Sequence, residues 1–194
     1  EIAPVAVKQR KGDPILVEQD EAPRKDTTFE KLSSLKPAFD RDGSITAGNA
    51  PGINDGAGAL VLMSEDKAVN EGYSRGAKII GHAEIAVGAK DFPKTPGLVI
   101  NELLKKTGKT VDEIDLFEIN EAFAAVALAS GKLANLDSDK VNVNGGAVAL
   151  GHPIGASGTR IILTLMYELK RRGGGIGIAS ICSGGGQGDA IMIE

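Results

Sequence analysis

Hydrophobic positions alternate between strand-length runs and helical repeats from about residue 45 to the end of the chain. Apolar runs of strand length predict strands at residues 57–63, 77–87, 114–119, 175–181 and 189–193. Helical spacing predicts helices between them, at residues 65–72, 95–108, 122–133 and 154–172. The third helix is strongly apolar and is expected to be buried. Such alternation predicts a layered α/β domain with helices on both sheet faces, its last two strands being antiparallel neighbours.

The first 44 residues have a different pattern. Two β-prone runs, at residues 5–7 and 15–17, flank Lys-Gly-Asp-Pro and predict a hairpin. The polar segment that follows contains a single short helical stretch near residues 29–35. We expect these 44 residues to pack on a neighbouring body and not to form a domain of their own.

Composition excludes several functions. The formal net charge of −4 leaves no basic surplus to neutralise phosphates, so no nucleic-acid partner is expected. No apolar stretch approaches the ~20 residues that span a bilayer, and no signal peptide is visible, so no membrane association is expected. The single cysteine rules out an intrachain disulfide and fits a reducing compartment. Two histidines and one cysteine lack ligand spacing, so no metal is expected.

Glycine-rich turns at the ends of predicted strands are the places where chemistry is expected, because ligands of open α/β sheets bind beyond the carboxyl ends of strands. His152 precedes a long helix, whose N-terminus disfavours the imidazolium form; it is either an acid/base group or a structural histidine in a turn. Cys182 follows a strand and is either a functional thiol or a small buried hydrophobe. Asn120 is either a helix cap or a group that polarises a carbonyl. His82 lies within a strand and is interpreted as structural.

Six motifs are distributed along the chain: Ile45-Thr46-Ala47-Gly48-Asn49-Ala50, Asn54-Asp55-Gly56-Ala57, Asn120-Glu121-Ala122-Phe123-Ala124, Asn142-Val143-Asn144-Gly145-Gly146-Ala147, Gly151-His152-Pro153-Ile154-Gly155-Ala156-Ser157-Gly158 and Cys182 to Gly186. Taken together, they resemble the thiolases, the acyltransferases that make or cleave 3-ketoacyl-CoA. The motifs occur in that family's order and cover nearly the whole chain. This combination favours functional roles for His152, Cys182 and Asn120.

The resemblance implies a fold of two similar α/β halves in five layers, with a loop domain over the coenzyme. The chain resembles the C-terminal half alone, a layered α/β/α unit with a mixed sheet. Residues 1–44 would be the end of the loop domain and residues 45–194 the C-terminal domain. The N-terminal half, which carries the cysteine that becomes acylated, would be the partner of this chain. The chain begins at Glu1 without Met and is expected to be a fragment, a processed product or the ordered part of something longer.

The family's roles carry over to four residues. By resemblance, His152 activates the missing cysteine thiol and then helps to hold the thioester oxygen. Cys182 moves the proton of the α-carbon, and Asn120 positions the water that completes one oxyanion hole. The backbone N–H of Gly184 contributes to a second oxyanion hole.

The same resemblance assigns contacts with coenzyme A to Arg24, Ala50, Pro51 and Phe123. Pro51 departs from the family, which commonly has a serine there that contacts the pantetheine arm. Proline has neither a hydroxyl nor an N–H, so weaker coenzyme binding is expected. Coenzyme A enters as a thioester substrate, and no covalently bound cofactor is expected.

The expected reaction is the reversible Claisen condensation of two acetyl-CoA to acetoacetyl-CoA and CoA, as in thiolases of the acetyl-CoA acetyltransferase type. A cytoplasmic homo-oligomer, a dimer or a tetramer, is implied. The nearest alternative is a degradative 3-ketoacyl-CoA thiolase of longer chain range. A non-catalytic thiolase-like module that binds acyl-CoA or lipid, and a structural fragment, are further alternatives. A pure binding module needs none of His152, Cys182 and Asn120.

Overall fold

The structure, a computed structural model, describes residues 1–73 and 76–194. Near the N-terminus, strands β1 (Val5–Val7) and β2 (Ile15–Val17) pair as the predicted antiparallel hairpin. The short helix α1 (Phe29–Ser33) follows them. None of residues 1–73 is buried, so this part of the chain adds nothing to the hydrophobic core.

Helix α2 (Glu65–Asn70) begins and ends as its sequence predicts. The side chain of Ser64 caps it by accepting a hydrogen bond from the backbone N–H of Lys67 at 3.3 Å. Gly72, two residues beyond the helix, has a φ of 72°, in the left-handed region that favours glycine. The helix therefore has the serine at its N-terminus and the glycine after its C-terminus that the sequence predicts.

The strand predicted at residues 57–63 is wrong. Within the described parts of the chain this segment pairs with no strand, and Val61 and Leu62 are 85% and 71% exposed. An apolar run becomes a strand only where another strand completes its hydrogen bonds. None of the strands described lies beside this segment.

The centre of the fold is a mixed sheet whose strands, in spatial order, are β3 (Ile79–Ala86), β6 (Gln187–Ile193), β5 (Gly177–Ser183) and β4 (Leu116–Ile119). Strands β4 and β5 are parallel, and β6 is antiparallel to both β5 and β3. The predicted α/β class with a mixed sheet is confirmed, as is the antiparallel pairing of the last two strands.

Helices cover both faces of this sheet, as predicted. Helix α3 (Thr95–Thr107) packs on one face, and helix α6 (Ser157–Arg172) packs on the other against β4 and β5. Each face has its own hydrophobic cluster. The members on the α3 side include Ile100, Leu103, Phe117, Ile178 and Met192, and those on the α6 side include Leu116, Ile161, Leu165 and Ile193.

Helix α4 (Ala124–Leu133) packs mainly on α3. Its only buried residues are Val126 and Ser130, whereas Leu128 is 74% exposed. The expectation that this helix is buried is therefore wrong, although a helix that is apolar on all sides is usually a buried one. In the described parts of the chain, no helix has both the length and the apolar character that crossing a bilayer requires.

Candidate active site

The parallel strands β4 and β5 end at the same edge of the sheet, and the predicted catalytic residues lie at that edge. Asn120 directly follows β4, and its backbone N–H donates a hydrogen bond to the carbonyl of Ser180 in β5 at 2.9 Å. Cys182 lies two residues further along β5, opposite Gly188 of β6. The sheet thus brings together two residues that are far apart in the sequence.

Asn120 contacts His152 directly. Its Nδ2 lies 3.3 Å from Nε2 of the imidazole. The asparagine side chain is fully buried, and its Oδ1 has no hydrogen-bond partner among the described residues. The alternative that Asn120 caps a helix is wrong, because the N-cap residue of α4 is Phe123. A buried, unpaired carbonyl oxygen is costly unless something else satisfies it.

The backbone of His152 is bound to a second segment of the chain. Its N–H donates to the carbonyl of Gly52 at 3.1 Å and to Oδ1 of Asn54 at 3.3 Å. Gly151 has a φ of 101°, and a Cβ at this position would collide with the Asn54 side chain. Glycine is therefore required beside the histidine for both reasons.

The imidazole of His152 is half-buried, and its Nδ1 lies 2.6 Å from Oγ of Ser157 at the start of α6. Burial lowers the pKa of His152 below its usual value of 6.5, and the positive charge of Arg160 lowers it further. A neutral imidazole at physiological pH agrees with the expectation from its sequence position. The sequence predicted that the helix N-terminus would lower this pKa, whereas the causes in the structure are burial and the charge of Arg160.

Cys182, the only cysteine of the chain, is half-buried. Burial raises the pKa of its thiol, and a backbone hydrogen bond opposes this shift. The group is therefore a thiol, and not a thiolate, in the resting protein at neutral pH. A thiol that holds its proton can donate it to carbon, and its conjugate base is a stronger base than an ordinary thiolate.

The turn that follows Cys182 consists of Gly184, Gly185 and Gly186. The last two have φ values of 78° and 87°, which favour glycine. A Cβ on Gly186 would lie 2.6 Å from the carbonyl oxygen of Val87. Gly184 is exposed, and a Cβ there would meet no atom of another segment within 4 Å. The space beside its backbone is open.

The residues predicted to contact coenzyme A divide into two groups. Ala50 and Pro51 lie in a segment whose ends are fixed next to the site: the carbonyl of Asn49 accepts from the N–H of Ala124 at 2.9 Å, and the carbonyl of Gly52 accepts from His152. Their positions are therefore close to the start of α4 and to the backbone of His152.

Phe123 belongs to the same group, since it directly precedes α4, and its ring meets that of Phe39 edge-on with centroids 6.4 Å apart. Arg24 does not. It is exposed, and within the described residues no hydrogen bond or ion pair joins its side chain to His152, Asn120 or Cys182. Nor do these residues contain a group of His, Cys, Asp and Glu side chains that could hold a metal ion.

Two family models match this chain. The model for the thiolase C-terminal domain matches residues 73–194, and the model for the thiolase N-terminal domain matches residues 1–66. The chain belongs to the thiolase family. The family predicted from the motifs is thus confirmed, whereas the predicted division between residues 44 and 45 stays a prediction.

Named relatives and solved structures agree with this assignment. A probable acetyl-CoA acetyltransferase of Mycolicibacterium smegmatis is 50% identical over 194 residues, which are 100% of this chain and 50% of the relative. The crystal structure of the Bacillus anthracis acetyl-CoA acetyltransferase has a TM-score of 0.95 at 50% identity, over 99% of this chain and 48% of that one. The thiolase fold predicted for the chain is confirmed.

Human mitochondrial 3-ketoacyl-CoA thiolase in complex with CoA is also similar. Its TM-score is 0.92 at 44% identity, over 98% of this chain and 47% of that one. The chain spans about half the length of the curated relatives it matches.

The thiolase site contains supporting residues to which the sequence motifs assigned no role. Glu121 joins the turn after β4 to the short helix α5 (Ala147–Leu150), which leads to His152. One carboxylate oxygen accepts from Nδ2 of Asn142 at 3.1 Å, and the other accepts from the backbone N–H of Val148 at 2.9 Å. Asn54 and Ser157 likewise lie within the matching motifs, and only the structure shows that both contact His152.

Proposed function

We propose that this chain is the C-terminal half of a thiolase of the acetyl-CoA acetyltransferase type. The reaction is the reversible condensation of two acetyl-CoA to acetoacetyl-CoA and CoA. The contact between Asn120 and His152 at the carboxyl end of β4, one strand away from Cys182, is the observation that carries this proposal. Relatives about 50% identical and named acetyl-CoA acetyltransferase support it.

In the first step, a cysteine outside these 194 residues attacks the thioester carbonyl of acetyl-CoA. Nε2 of His152 takes the proton of this cysteine and returns it to the sulfur of the departing CoA, so the step yields acetyl-cysteine and free CoA. The neutral imidazole favoured by burial is the form that can accept the proton. Nδ2 of Asn120 lies 3.3 Å from Nε2 of His152, so a water held by Asn120 beside the imidazole would, together with the protonated Nε2, stabilise the developing oxyanion.

In the second step, Cys182, a thiol at rest, first releases its proton to solvent, and the resulting thiolate removes a proton from the α-carbon of a second acetyl-CoA. The enolate attacks the acetyl-cysteine, a C–C bond forms, and the released cysteine thiolate takes up the proton. The raised pKa of Cys182 makes its thiolate scarce but strongly basic, which suits removal of a proton from carbon. The backbone N–H of Gly184 lies in the open turn beside this cysteine and would hold the second oxyanion.

Several finer points belong to the same proposal. Coenzyme A is bound as a thioester substrate along the segment that holds Ala50 and Pro51 and beside Phe123. The partner of this chain is the N-terminal half of the same enzyme, and the complete enzyme is a cytoplasmic homo-oligomer. The similarity to human mitochondrial 3-ketoacyl-CoA thiolase, at 44% identity, favours a longer-chain 3-ketoacyl-CoA thiolase as the second candidate.

Two measurements test the proposal. The 194-residue chain alone should not cleave acetoacetyl-CoA, because the acylated cysteine is supplied from outside it; turnover by the pure chain would contradict this. In the enzyme completed by an N-terminal half, Cys182→Ser should abolish condensation but leave acylation of the other cysteine by acetyl-CoA intact. Ser183→Ala, next to Cys182, is the control and should affect neither step strongly. An equal loss of both steps in Cys182→Ser would exclude the proton-transfer role.

A further inference from the structure

A short contact between His152 and Ser157 bears on the protonation of the imidazole. Nδ1 of the histidine lies 2.6 Å from Oγ of the serine, and Ser157 is only 1% exposed. A neutral imidazole carries one N–H, so one of its nitrogens donates and the other accepts. The proposed function requires Nε2 to accept a proton, and it can do so only if the hydrogen is on Nδ1.

The hydrogen-bond partners of Ser157 indicate where its own hydrogen lies. Its Oγ is 3.0 Å from the carbonyl oxygen of Pro153, four residues earlier. A carbonyl can only accept, and a serine in the first turn of a helix commonly donates to the carbonyl of residue i−4. With its single hydrogen on that bond, Ser157 presents a lone pair to His152 and accepts from Nδ1–H.

The other side of the ring agrees with this arrangement. Nε2 of His152 lies 3.3 Å from Nδ2 of Asn120, and an amide nitrogen can only donate. An Nε2 lone pair can accept from it, whereas an Nε2–H would place two donors against each other. The opposite tautomer would require Ser157 to leave Pro153 and Asn120 to turn its Oδ1 towards the ring.

We infer that Ser157 is a positioning residue that holds His152 in the Nδ1–H tautomer and thereby leaves the lone pair on Nε2, the atom beside Asn120. Only one part of this inference rests on the proposed function, namely that the Nε2 lone pair serves as the base. The tautomer itself is a property of this chain and can be measured without any activity.

The tautomer is read from the ring nitrogens of the ¹⁵N-labelled chain by long-range ¹H–¹⁵N correlation, at about pH 8, where a histidine of lowered pKa is neutral. The second histidine, His82, is exposed, so His82→Gln assigns the signals without disturbing the site. We expect Nδ1 to have the shift of a protonated nitrogen and Nε2 that of an unprotonated one. The reverse pattern would overturn the inference.

Variants separate the role of the hydroxyl from that of burial. Ser157→Ala should lose the preference for Nδ1–H, since imidazole in water favours Nε2–H, whereas Ser157→Thr keeps a hydroxyl and should retain it. Ser130→Ala is the matched control: Ser130 is equally buried, lies in α4 and has no hydrogen-bond partner among the described residues. An unchanged tautomer in Ser157→Ala would also contradict the inference.

The outcomes distinguish this inference from the proposed function. An inactive complete enzyme whose His152 is in the Nδ1–H form would refute the proposed function and leave the tautomer assignment standing. An active thiolase whose His152 is in the Nε2–H form would overturn the inference and the role of Nε2 as the base, and would leave the proposed overall reaction standing.

Discussion

Glu118 of β4 and Arg160 of α6 form an ion pair, with 3.2 Å between Oε2 and Nη1, in which the arginine side chain is 23% exposed. The Glu118 side chain is 3% exposed, and Nη2 of Arg160 is buried with no hydrogen-bond partner among the described residues. Burial raises the pKa of Glu118 from 4.5 to about 7, in spite of the opposing effect of Arg160. The pair lies one helical turn from Ser157, which contacts His152, so its charge state bears on the site.

The raised pKa of Glu118 predicts a pH dependence of stability. Between pH 4.5 and about 7 the folded state retains a proton that the unfolded state has lost, so the free energy of unfolding contributed by this group falls as pH rises. A pKa of about 7 in place of 4.5 corresponds to roughly 3 kcal/mol over this window. Urea unfolding at several pH values should show that Glu118→Gln removes most of this decline.

Glu102, which is exposed on α3, provides the control for the loss of a carboxylate. Glu102→Gln should leave the pH dependence of unfolding close to that of the wild type. If Glu118→Gln and the wild type declined in parallel, Glu118 would not be the group responsible.

Arg160 is predicted to lower the pKa of His152. Arg160→Met removes the nearby positive charge, so this pKa should rise, yet stay below 6.5 because burial, the larger cause, remains. Titration of the His152 ring by NMR measures the change. Arg160→Met leaves the buried Glu118 without its partner, which destabilises the fold. The double variant Arg160→Met, Glu118→Gln therefore repeats the test without a buried, unpaired charge.

The control for this titration is Arg171→Met, on the same helix. Arg171 is 51% exposed and pairs with Glu168. Its loss should leave the His152 pKa nearly unchanged, because exposed charges are screened by solvent. Equal shifts in both variants would point to the net charge and not to the proximity of Arg160.

The sequence predicted the sheet and its covering helices because their apolar spacing matches the burial each element has. The prediction failed for residues 57–63 and for the burial of α4. An apolar pattern shows that a segment could be buried, but it does not show whether another segment of the chain covers it. The motifs identified His152, Cys182 and Asn120. Ser157, Asn54 and the Glu118–Arg160 pair make contacts between segments that only folding brings together. The sequence therefore does not show which residues these side chains contact.

Gly146 is predicted to be required by the carboxylate of Glu121. Its φ of −141° suits any residue, but an alanine Cβ would lie 2.5 Å from both carboxylate oxygens. Gly146→Ala should displace the carboxylate from Asn142 and Val148 and lower the free energy of unfolding by about 1–3 kcal/mol. Chemical unfolding measures this.

A second glycine gives the opposite expectation. A Cβ at Gly131, within α4, would meet no atom of another segment within 4 Å, so Gly131→Ala should stabilise the chain by about 0.5–1 kcal/mol.

A double variant tests whether Glu121 is the cause of the cost at Gly146. In a Glu121→Ala background Gly146→Ala should cost little more, because the collision with the carboxylate is gone. A full cost of Gly146→Ala in that background would exclude Glu121 as its cause.

Pro51 is predicted to limit the affinity of the complete thiolase for coenzyme A. It is half-buried and lies in the segment between the start of α4 and His152. The resemblance to thiolases predicts a serine at this position, in contact with the pantetheine arm. Pro51→Ser restores a hydroxyl and an N–H, and one added hydrogen bond is worth about 0.5–1.5 kcal/mol, roughly a 2- to 12-fold lower Kd for CoA by calorimetry. Pro14→Ser, at an exposed proline of the N-terminal hairpin to which no coenzyme contact is assigned, is the control for replacing a proline by serine. An unchanged Kd in Pro51→Ser would mean that the serine contact is dispensable in this protein.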